Sequence, residues 1–520
     1  MSRKNVIDNN SVEVIQALTT FPYNIIKREI SEGYDNYVKE IREIQRYYID
    51  YEQGAVFYPE GSAGDYIPSD VRFKQIRMLI NKEARFMFSQ KPDILVQSNN
   101  ADETDNDNIQ KLQSLVDKVL KKNNFSSLLL KSAKDCFIGK RIACLVDFSE
   151  YDGIQIHFYN SMQFYYETEY DSSRITKFVS FKCVKDLQSS RQRRFLLKKY
   201  EEINNIIYTE TRLYDGVGKE VETIVERKQT DLRDIPVAII LNDGTLKDTK
   251  GISEVESLED NESLFSKLAN ADVDSERKGM NPTRYTIDMN PKCTQNLSSS
   301  AGSYWDLHTD QNADNVSPSV GVLAPQLNHS EPLKITLERI RNQMYSEVDI
   351  PDINSESLAG IVTSGKSMKA LYWGLIVRCD EKMIQWIPAL EKIITNVIEL
   401  SLLNVDYVKN IYHINDLPDI SYNIHIEGNY ALLEDEMEEK DTDMAEINAN
   451  ARSRKSYIKK WRRSEFKTDE QIDGELQQIA LEQNLFDSMT NPQIQTELNN
   501  QQVKQNIDDN IEEVELEQKI

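Results

Sequence analysis

The stretch PDINSESLAGIVTSGKSMKALYWGLIVRCDEKMIQWIPALEKIITNVIELSLL, residues 351–403, decides the fold of this chain. Its first part is polar, and its second part repeats apolar residues at the i, i+3, i+4 spacing of an amphipathic helix. The pattern predicts a loop followed by a long helix with one buried face. That face consists of Met368, Leu371, Tyr372, Leu375, Ile376, Cys379, Met383, Trp386, Ile387, Leu390, Ile393, Ile394 and Val397.

Pro388 lies inside this predicted helix. A proline has no N–H to donate to the carbonyl of Ile384, and its ring pushes that carbonyl away. Because the apolar pattern continues past the proline, we expect a kink between Ile384 and Pro388 and not the end of the helix.

The composition bounds the class of protein. A chain of 520 residues can bury a large core and form more than one domain. Its 86 acidic and 62 basic side chains give a net charge of −24, which argues against a protein that grips nucleic acid over its whole surface. Nucleic acid could still pass through it. We expect no signal peptide, no membrane span and, from five cysteines without paired spacing, free thiols in a reducing compartment.

Upstream of the loop, the predicted elements change from helices to strands. Helices are expected at 23–26, 37–51, 71–88, 108–123 and 125–137, with a strand at 94–97 and a solvated acidic turn at 101–108. Alternating apolar residues between turn residues then predict an antiparallel sheet region with strands at 141–148, 154–159, 163–169, 175–184, 204–214, 223–228 and 235–241.

Two further helices flank a small module. A helix at 251–279 ends at Gly279 and Asn281-Pro282, which is a typical stop signal. Residues 283–330 contain two short strands, TRYTID and VGVLAP, and a helix at 331–349 returns. This order predicts a stalk that carries a tip. Beyond Leu403 we expect a strand at 420–428, acidic amphipathic helices and a Gln/Asn/Glu-rich tail from Asn491.

The residues Gly360 to Ser367, GIVTSGKS, match the Walker A pattern. In a nucleotide site, backbone amides would cradle the phosphates, Lys366 would reach the β- and γ-phosphates, and Ser367 would bind Mg²⁺. However, the preceding residues are polar and begin with a proline, whereas a phosphate loop follows a buried strand. The alternative is a flexible Gly/Ser-rich loop with Ser364 or Ser367 near the N-cap of the following helix.

No catalytic residue, cofactor site or metal site is predicted. The five histidines are far apart, and no pattern suggests an activated nucleophile. Two basic runs could bind nucleic acid, but pairing with neighbouring acidic helices is the favoured interpretation of the run around Trp461. The runs are Arg191, Arg193, Arg194, Lys198 and Lys199, and Arg452, Arg454, Lys455, Lys459, Lys460, Arg462 and Arg463.

Several passages resemble the portal proteins of tailed bacteriophages, of the type found in long-tailed phages of Gram-positive hosts. They begin VRFKQIRMLI, NNFSSLLLKS, GISEVESLED, QMYSEVDIPD and RSRKSYIKKW, and lie at 71–96, 123–148, 251–276, 343–375 and 452–482. Each passage alone is weak. Their order along residues 35–485 carries the resemblance.

The resemblance implies an α+β portal fold. It would consist of an α/β wing at 1–250, stem helices at 251–279 and 331–350, a small α/β clip at 280–330, a tunnel loop at 351–367, a long kinked wing helix with a return strand at 368–429, and an α-helical crown with the C-terminal tail at 430–520.

The resemblance also implies a ring, usually dodecameric, at one vertex of the virion capsid, assembled in the host cytoplasm. The ring would be the conduit for DNA packaging and ejection. Its partners would be further copies of the chain, double-stranded DNA, the terminase large subunit, a head–tail adaptor, and major capsid and scaffolding proteins, with no membrane. The tunnel-loop residues expected to line the DNA channel are Asn354, Ser355, Glu356, Thr363, Ser364 and Lys366.

The family's Ser-Gly pair falls at Ser364-Gly365, and Lys366 and Ser367 then depart from the family pattern. The departure creates the Walker-like match and would put a positive charge near the channel. On the portal interpretation the chain is not an enzyme, because a separate terminase motor supplies the energy. The alternatives are a P-loop NTPase that uses Gly360–Ser367 and a capsid structural protein without a DNA path.

Overall fold

The computed structural model of the protein describes residues 23–30, 32–55, 69–98, 103–170, 172–185, 193–242, 244–280, 283–287, 289–290, 292, 307–308, 319–323, 330–352, 369–414, 416–430, 436–449, 451–462 and 469–490. These residues fall into two compact units. The larger unit holds the described residues up to 430, and the smaller unit holds those from 436 onward.

The larger unit combines helices with short sheets. Its described helices are α1 (Tyr23–Ile26), α2 (Tyr34–Gln53), α3 (Gln75–Phe88), α4 (Glu103–Lys122), α5 (Phe125–Gly139), α6 (Glu254–Met280), α7 (Ser330–Glu347), α8 (Trp373–Leu403) and α9 (Val405–Tyr412). Its described strands are β1 (Asp93–Ser98), β2 (Arg141–Ser149), β3 (Gly153–Asn160), β4 (Phe164–Thr168), β5 (Ile175–Lys185), β6 (Arg194–Ile203), β7 (Ile206–Asp215), β8 (Glu220–Gln229), β9 (Val237–Leu241), β10 (Thr283–Ile287), β11 (Ser319–Leu323) and β12 (Tyr422–Glu427).

The described strands pair in antiparallel ladders. One sheet has the order β3-β2-β9, and a five-stranded sheet has the order β4-β5-β6-β7-β8. The strands β10 and β11 form a two-stranded pair, as do β1 and β12. The predicted antiparallel region is therefore two sheets, and the mixture of helix and sheet fits the predicted α+β class.

The strand β6 was missing from the sequence prediction. Its sequence RFLLKKYEEI carries charged residues at several positions and has no clean apolar alternation. The structure nevertheless buries Phe195 and Leu197 on one face of the strand and Tyr200 on the other, because both faces pack into apolar clusters once β6 pairs with β5 and β7. Cross-strand pairing thus decided a strand that local pattern did not reveal.

The long helix α8 lies at the centre of the core of the larger unit. Most of its predicted apolar face is buried, including Leu375, Met383, Leu390 and Val397. Trp386 is 1% exposed, and its ring centroid lies 4.7 Å from that of Phe88. The prediction of one long buried face is confirmed. Pro388 lies within the helix, and the kink expected there stays a prediction.

Several helix boundaries differ from the sequence prediction. The helix predicted at 71–88 begins at Gln75, because the side chain of Asn270 both accepts from the N–H of Val71 and donates to its carbonyl, each at 2.7 Å. The predicted acidic turn at 101–108 is helical from Glu103 onward. Acidic residues favour the first turn of a helix, since they interact with the positive end of its dipole.

The helix α6 begins later than predicted, at Glu254, and it organises the chain around it. The Ser253 hydroxyl accepts from the N–H of Val255 at 3.1 Å and serves as the N-cap. Further along, Glu262 accepts from the backbone N–H groups of Ala55 (2.9 Å) and Ile76 (3.1 Å). Burial raises the pKa of Glu262 to about 7, although those N–H groups lower it. Glu262 therefore supplies the N-terminal partner that α3 lacks in its own sequence.

The segments that follow α8, the helix α9 and the strand β12, also pack against the core. The strand β12, predicted at 420–428, pairs with β1 so that Ile94 lies opposite Ile426. The short helix α9 was not predicted, and it buries Val408 and Tyr412. The hydroxyl of Tyr412 accepts from the N–H of Ile154 at 3.0 Å.

The smaller unit consists of helices in its described part. These are α10 (Glu436–Asn448), α11 (Arg454–Trp461) and α12 (Asp469–Thr490). Helix α11 begins after Ser453, whose side chain accepts from the N–H of Ser456 at 3.2 Å. The predicted tail from Asn491 lies outside the described residues.

Candidate functional site

Four charged side chains form an ionic cluster where α3, α6 and α8 meet. Arg378 and Lys382 are four residues apart on α8 and therefore share one face of that helix. Lys382 Nζ lies 2.6 Å from Glu83 Oε1 and 2.7 Å from Glu254 Oε1. Arg378 donates from Nε to Glu83 at 2.9 Å and from Nη2 to Glu254 at 2.5 Å. The cluster ties three helices that are far apart in the sequence.

The ionic cluster is almost completely buried. The side chains of Glu83 and Lys382 are 0% and 3% exposed. Lys382 Nζ also lies 3.7 Å from the ring centroid of Phe137. Burial alone would raise the pKa of Glu254, but Lys382 and Arg378 outweigh it and lower the pKa to about 2. The same carboxylates raise the pKa of Lys382 against the effect of burial. Both partners are therefore charged at neutral pH.

The ionic cluster lies beside the start of the predicted tunnel loop. Arg378 Nη1 donates to the carbonyl of Glu347, the last residue of α7, at 3.4 Å. Asp349 has a left-handed backbone with φ 50°, and the N–H of Ile350 donates to the carbonyl of Tyr345 at 3.0 Å. The chain thus turns sharply out of α7 as it approaches the loop.

An ion pair secures the first residues of the loop. Arg341 on α7 donates from Nη2 to both carboxylate oxygens of Asp352, at 2.8 and 2.6 Å. This pair is partly exposed, with side-chain exposures of 36% and 23%. The ion pair between Arg341 and Asp352 is therefore easier to break than the buried ionic cluster.

The far end of the loop returns to the same place. A Cβ placed on Gly374 would lie 3.4 Å from the Cβ of Asp349, so the two ends of the loop are in van der Waals range. Tyr372 stacks on Phe86, which stacks on Tyr430, with centroid distances of 5.6 and 5.5 Å. The loop therefore begins and ends on one base formed by α3, α7 and α8.

The predicted tunnel-loop residues lie outside the described residues. They are Asn354, Ser355, Glu356, Thr363, Ser364 and Lys366, and the Walker-like residues Gly360 to Ser367 lie outside them as well. The structure places only the two ends of the loop. The described residues 348–352, which precede it, form no strand and follow the helix α7.

The first basic run lies partly on β6 and faces acidic side chains. Lys199 Nζ lies 3.1 Å from Glu29 and 3.2 Å from Glu201, and Lys198 pairs with Asp147. Opposing carboxylates thus neutralise the described lysines of this run.

The second basic run pairs with acidic helices, as predicted. In the smaller unit, Asp443 on α10 receives Arg452, Lys460 at 3.3 Å and the indole N–H of Trp461 at 2.6 Å. Lys455 Nζ lies 2.5 Å from Asp473 on α12. These contacts explain the run without nucleic acid.

Sequence reasoning missed the ionic cluster. Lys382 lies on the buried face of α8, between Cys379 and Trp386. A lysine on the apolar face of a helix was the signal in the sequence, because a buried charge requires a partner of opposite charge. The partners Glu83 and Glu254 lie in other segments, and no local pattern points to them.

Neither a metal site nor a membrane-spanning helix is found among the described residues. No group of three or more metal-ligating side chains is found there, and no helix there has the length and apolar character needed to cross a membrane. The predictions on the Walker-like motif as an enzyme site gain no support.

Comparison with known proteins gives the family. Among curated proteins, none matches the chain. The family model described as phage portal protein, SPP1 Gp6-like, matches residues 27–484, which is most of the 520-residue chain. That match agrees with the resemblance of the ordered passages, and the family is structural and not enzymatic. The chain therefore belongs to the SPP1 Gp6-like family of phage portal proteins, which form an oligomeric ring at the portal vertex of the bacteriophage capsid and serve genome packaging.

Proposed function

We propose that this chain forms the ring, usually dodecameric, through which double-stranded DNA enters and leaves the capsid, and that residues 351–367 line its tunnel. The family match over residues 27–484 carries this proposal. We further propose docking of the terminase large subunit and a head–tail adaptor, contacts with major capsid and scaffolding proteins, assembly in the host cytoplasm and a Gram-positive host.

The parts of the ring follow from the order of elements. The helices and sheets of residues 1–250 would form the wing, and α6 and α7 would form the stem. The paired strands β10 and β11 would form the clip, where the motor docks, and the smaller unit would belong to the crown. The stem assignment is supported by direct packing of α6 on α7, through Phe265, Ala269 and Ile340.

The charge of the chain suits a conduit. Neutralising DNA phosphates with lysine and arginine produces tight, salt-sensitive binding, which would hold DNA still. A net charge of −24 per copy repels the phosphate backbone and leaves few strong contacts. DNA could then slide through a tunnel whose walls do not retain it.

The geometry at the base of the loop supports a moving loop on a fixed base. Both ends of the loop meet beside the buried ionic cluster of Glu83, Glu254, Arg378 and Lys382. Breaking such a cluster is costly, so the base holds while the loop shifts. The partly exposed pair of Arg341 and Asp352 is the first contact that a shifting loop would release.

Deleting residues 354–362 tests the tunnel role. Ring assembly should be unaffected, because the ionic cluster and the packed helices lie outside the deletion, whereas DNA packaging should be abolished. Ring mass is measured by native mass spectrometry, and packaging is measured as nuclease-protected DNA in assembled capsids.

The control replaces the same residues with an equal number of glycines and serines. This variant keeps the loop length and removes the side chains, so it separates contact chemistry from loop length. Normal packaging by the deletion variant would contradict the proposed tunnel role of residues 351–367.

A further inference from the structure

A cavity of about 790 Å³ lies in the larger unit between α8 and the sheets that contain β2, β4 and β9. Three cations line it: Arg141, Lys250 and Lys392. Among the described residues that line it, none is an aspartate or a glutamate. In a chain with a net charge of −24, such a lining is unusual, and it favours an anionic occupant.

Arg141 has an unused hydrogen-bond donor. The residue is only 4% exposed, and its Nη1 donates to Glu40 at 2.5 Å and to the carbonyl of Lys250 at 3.4 Å. Its Nε is enclosed and donates to no atom of the described residues. An arginine binds a carboxylate in bidentate fashion through Nε and the neighbouring Nη2. The guanidinium is therefore satisfied only on its Nη1 side, and its Nε is a buried donor without a partner among the described residues.

The other two cations of the cavity, Lys250 and Lys392, also have few acidic partners. Lys250 shares Glu40 with Arg141, at 2.8 Å from its Nζ. Lys392 is half-buried on α8 and makes no ion pair or hydrogen bond with any described residue. Burial lowers the pKa of Lys392, and Asp234 offsets this only in part. Arg141 and Lys250 thus share Glu40, and Lys392 has only the partial influence of Asp234, so positive charge exceeds negative charge around the cavity.

The uncharged walls of the cavity suit a segment of polypeptide. The rings of Phe164, Tyr165 and Tyr166 offer apolar surface, and Thr168, Ser172 and Ser173 offer hydroxyl groups. A peptide segment presents apolar side chains and backbone polar groups together, whereas a free inorganic anion would use only the cations. A DNA duplex is too wide to enter a cavity of this volume.

We propose that this cavity receives a carboxylate side chain from an acidic segment of a neighbouring copy of the chain. The inference rests on the ring that the family implies. In a ring the neighbour is always present, so its effective concentration is high and even a modest contact is occupied. The 86 acidic residues of each copy provide the donors of such a carboxylate.

Photo-crosslinking in mixed rings tests the proposal on the full-length protein. Ser173 is replaced by the photo-reactive residue p-benzoylphenylalanine, and rings are assembled from isotopically light and heavy copies. We expect cross-links that join a light to a heavy copy, at a segment rich in aspartate and glutamate. The same replacement at Leu246, which is fully exposed and outside the cavity, is the control and should not capture that segment.

A charge variant gives a second readout that does not depend on the bulky probe. Lys392→Gln removes this half-buried cation, and it should lower the salt concentration at which rings dissociate by about twofold, since attraction between charges on two copies is screened by salt. The matched control Lys219→Gln makes the same charge change at an exposed turn residue outside the cavity and should leave that concentration unchanged.

The outcomes separate this inference from the proposed function. Native mass spectrometry reports whether rings form, which tests the portal ring itself. Rings that form but give only cross-links within one copy, or equal salt midpoints for Lys392→Gln and the wild type, would overturn the inference and leave the ring intact. Saturable binding of inorganic phosphate to Arg141 in preformed rings, without inter-copy cross-links, would also overturn it, because the cavity would then be a site for a free anion.

Discussion

Two ionic clusters in this protein use the same kinds of side chain and differ in where the partners come from. The cluster of Glu83, Glu254, Arg378 and Lys382 joins residues up to 299 positions apart, Glu83 and Lys382, and is nearly inaccessible to water. The cluster around Asp443 in the smaller unit joins residues within 18 positions, and its Arg452 and Lys460 side chains are 28% and 37% exposed.

This difference separates two roles for charge. An exposed local cluster forms whenever its helices form and contributes little, because water and salt compete with it. A buried distant cluster can form only in the complete fold, and each of its members is costly to leave alone. The buried cluster therefore specifies which helices meet at the base of the loop, whereas the Asp443 cluster joins residues that are already close along the chain.

The largest expected effect comes from Lys382→Met. Methionine keeps the apolar stem but leaves Glu83 and Glu254 with Arg378 alone, so the free energy of unfolding should fall by about 3–5 kcal/mol. Urea denaturation measures this loss. The loss should change little between low and high salt, since the cluster is shielded from ions.

Two variants sharpen that result. Lys409→Met, at an exposed lysine whose Nζ lies 3.8 Å from Asp416, should change stability by less than about 1 kcal/mol. Adding Glu83→Gln to Lys382→Met should restore part of the loss, because it rebalances the remaining charges. If the double variant is as unstable as the sum of the single ones, the cluster does not act as one unit.

The next effect is a dependence on pH that Glu254 causes. Its pKa is lowered in the folded protein from 4.5 to about 2. A lowered carboxyl pKa contributes stability above the unfolded value, and this contribution is lost as the pH falls from 4.5 through 2. The sign follows from the lowered folded-state pKa, because the unfolded state binds more protons than the folded state in this range of pH.

Glu254→Gln should therefore make the unfolding free energy less dependent on pH between 5 and 2, and lower it at neutral pH. Glu381→Gln removes an exposed carboxylate on α8, the helix that carries Arg378 and Lys382, and serves as the control. A profile for Glu254→Gln that parallels the wild type in acid would show that Glu254 does not account for the acid sensitivity.

The smallest expected effect is that of Arg452→Ala in the exposed cluster. Removing its pairs with Asp443 and Glu446 should lower stability by about 0.2–1 kcal/mol, and salt should abolish the difference. The measurement is thermal unfolding of the full-length protein at low and high ionic strength. A salt-independent loss as large as that of Lys382→Met would erase the contrast between the two clusters.

Local pattern predicted the elements better than their boundaries and pairings. The apolar spacing on α8 correctly marked Leu375, Trp386 and Leu390 as buried. The start of α3 was wrong, because the contact between Val71 and Asn270 overrides helical preference at residues 71–74. The acidic turn was wrong as well, because a negative side chain that suits a loop also suits the first turn of a helix.

The candidate site divides in the same way. The two helices that flank the predicted loop were predictable, since composition and periodicity are properties of neighbouring residues. The base of the loop was not: Glu83, Glu254 and Lys382 have ordinary local contexts and become a cluster only when α3, α6 and α8 pack. The assignment of Asn354, Glu356 and Lys366 to a DNA channel stays a prediction.

By itself, the amino-acid sequence determined most of the succession of helices and strands, though not β6 or α9, as well as the long buried face of α8, the acidic balance and the order of family-like passages. The tertiary structure alone decided that β12 pairs with β1, that β6 completes a five-stranded sheet, and that the loop returns to its own base. The physical reason is the distance along the chain over which each interaction acts. Periodicity, capping and charge balance act between neighbours, whereas strand register and the pairing of buried charges depend on segments that only the folded core brings together.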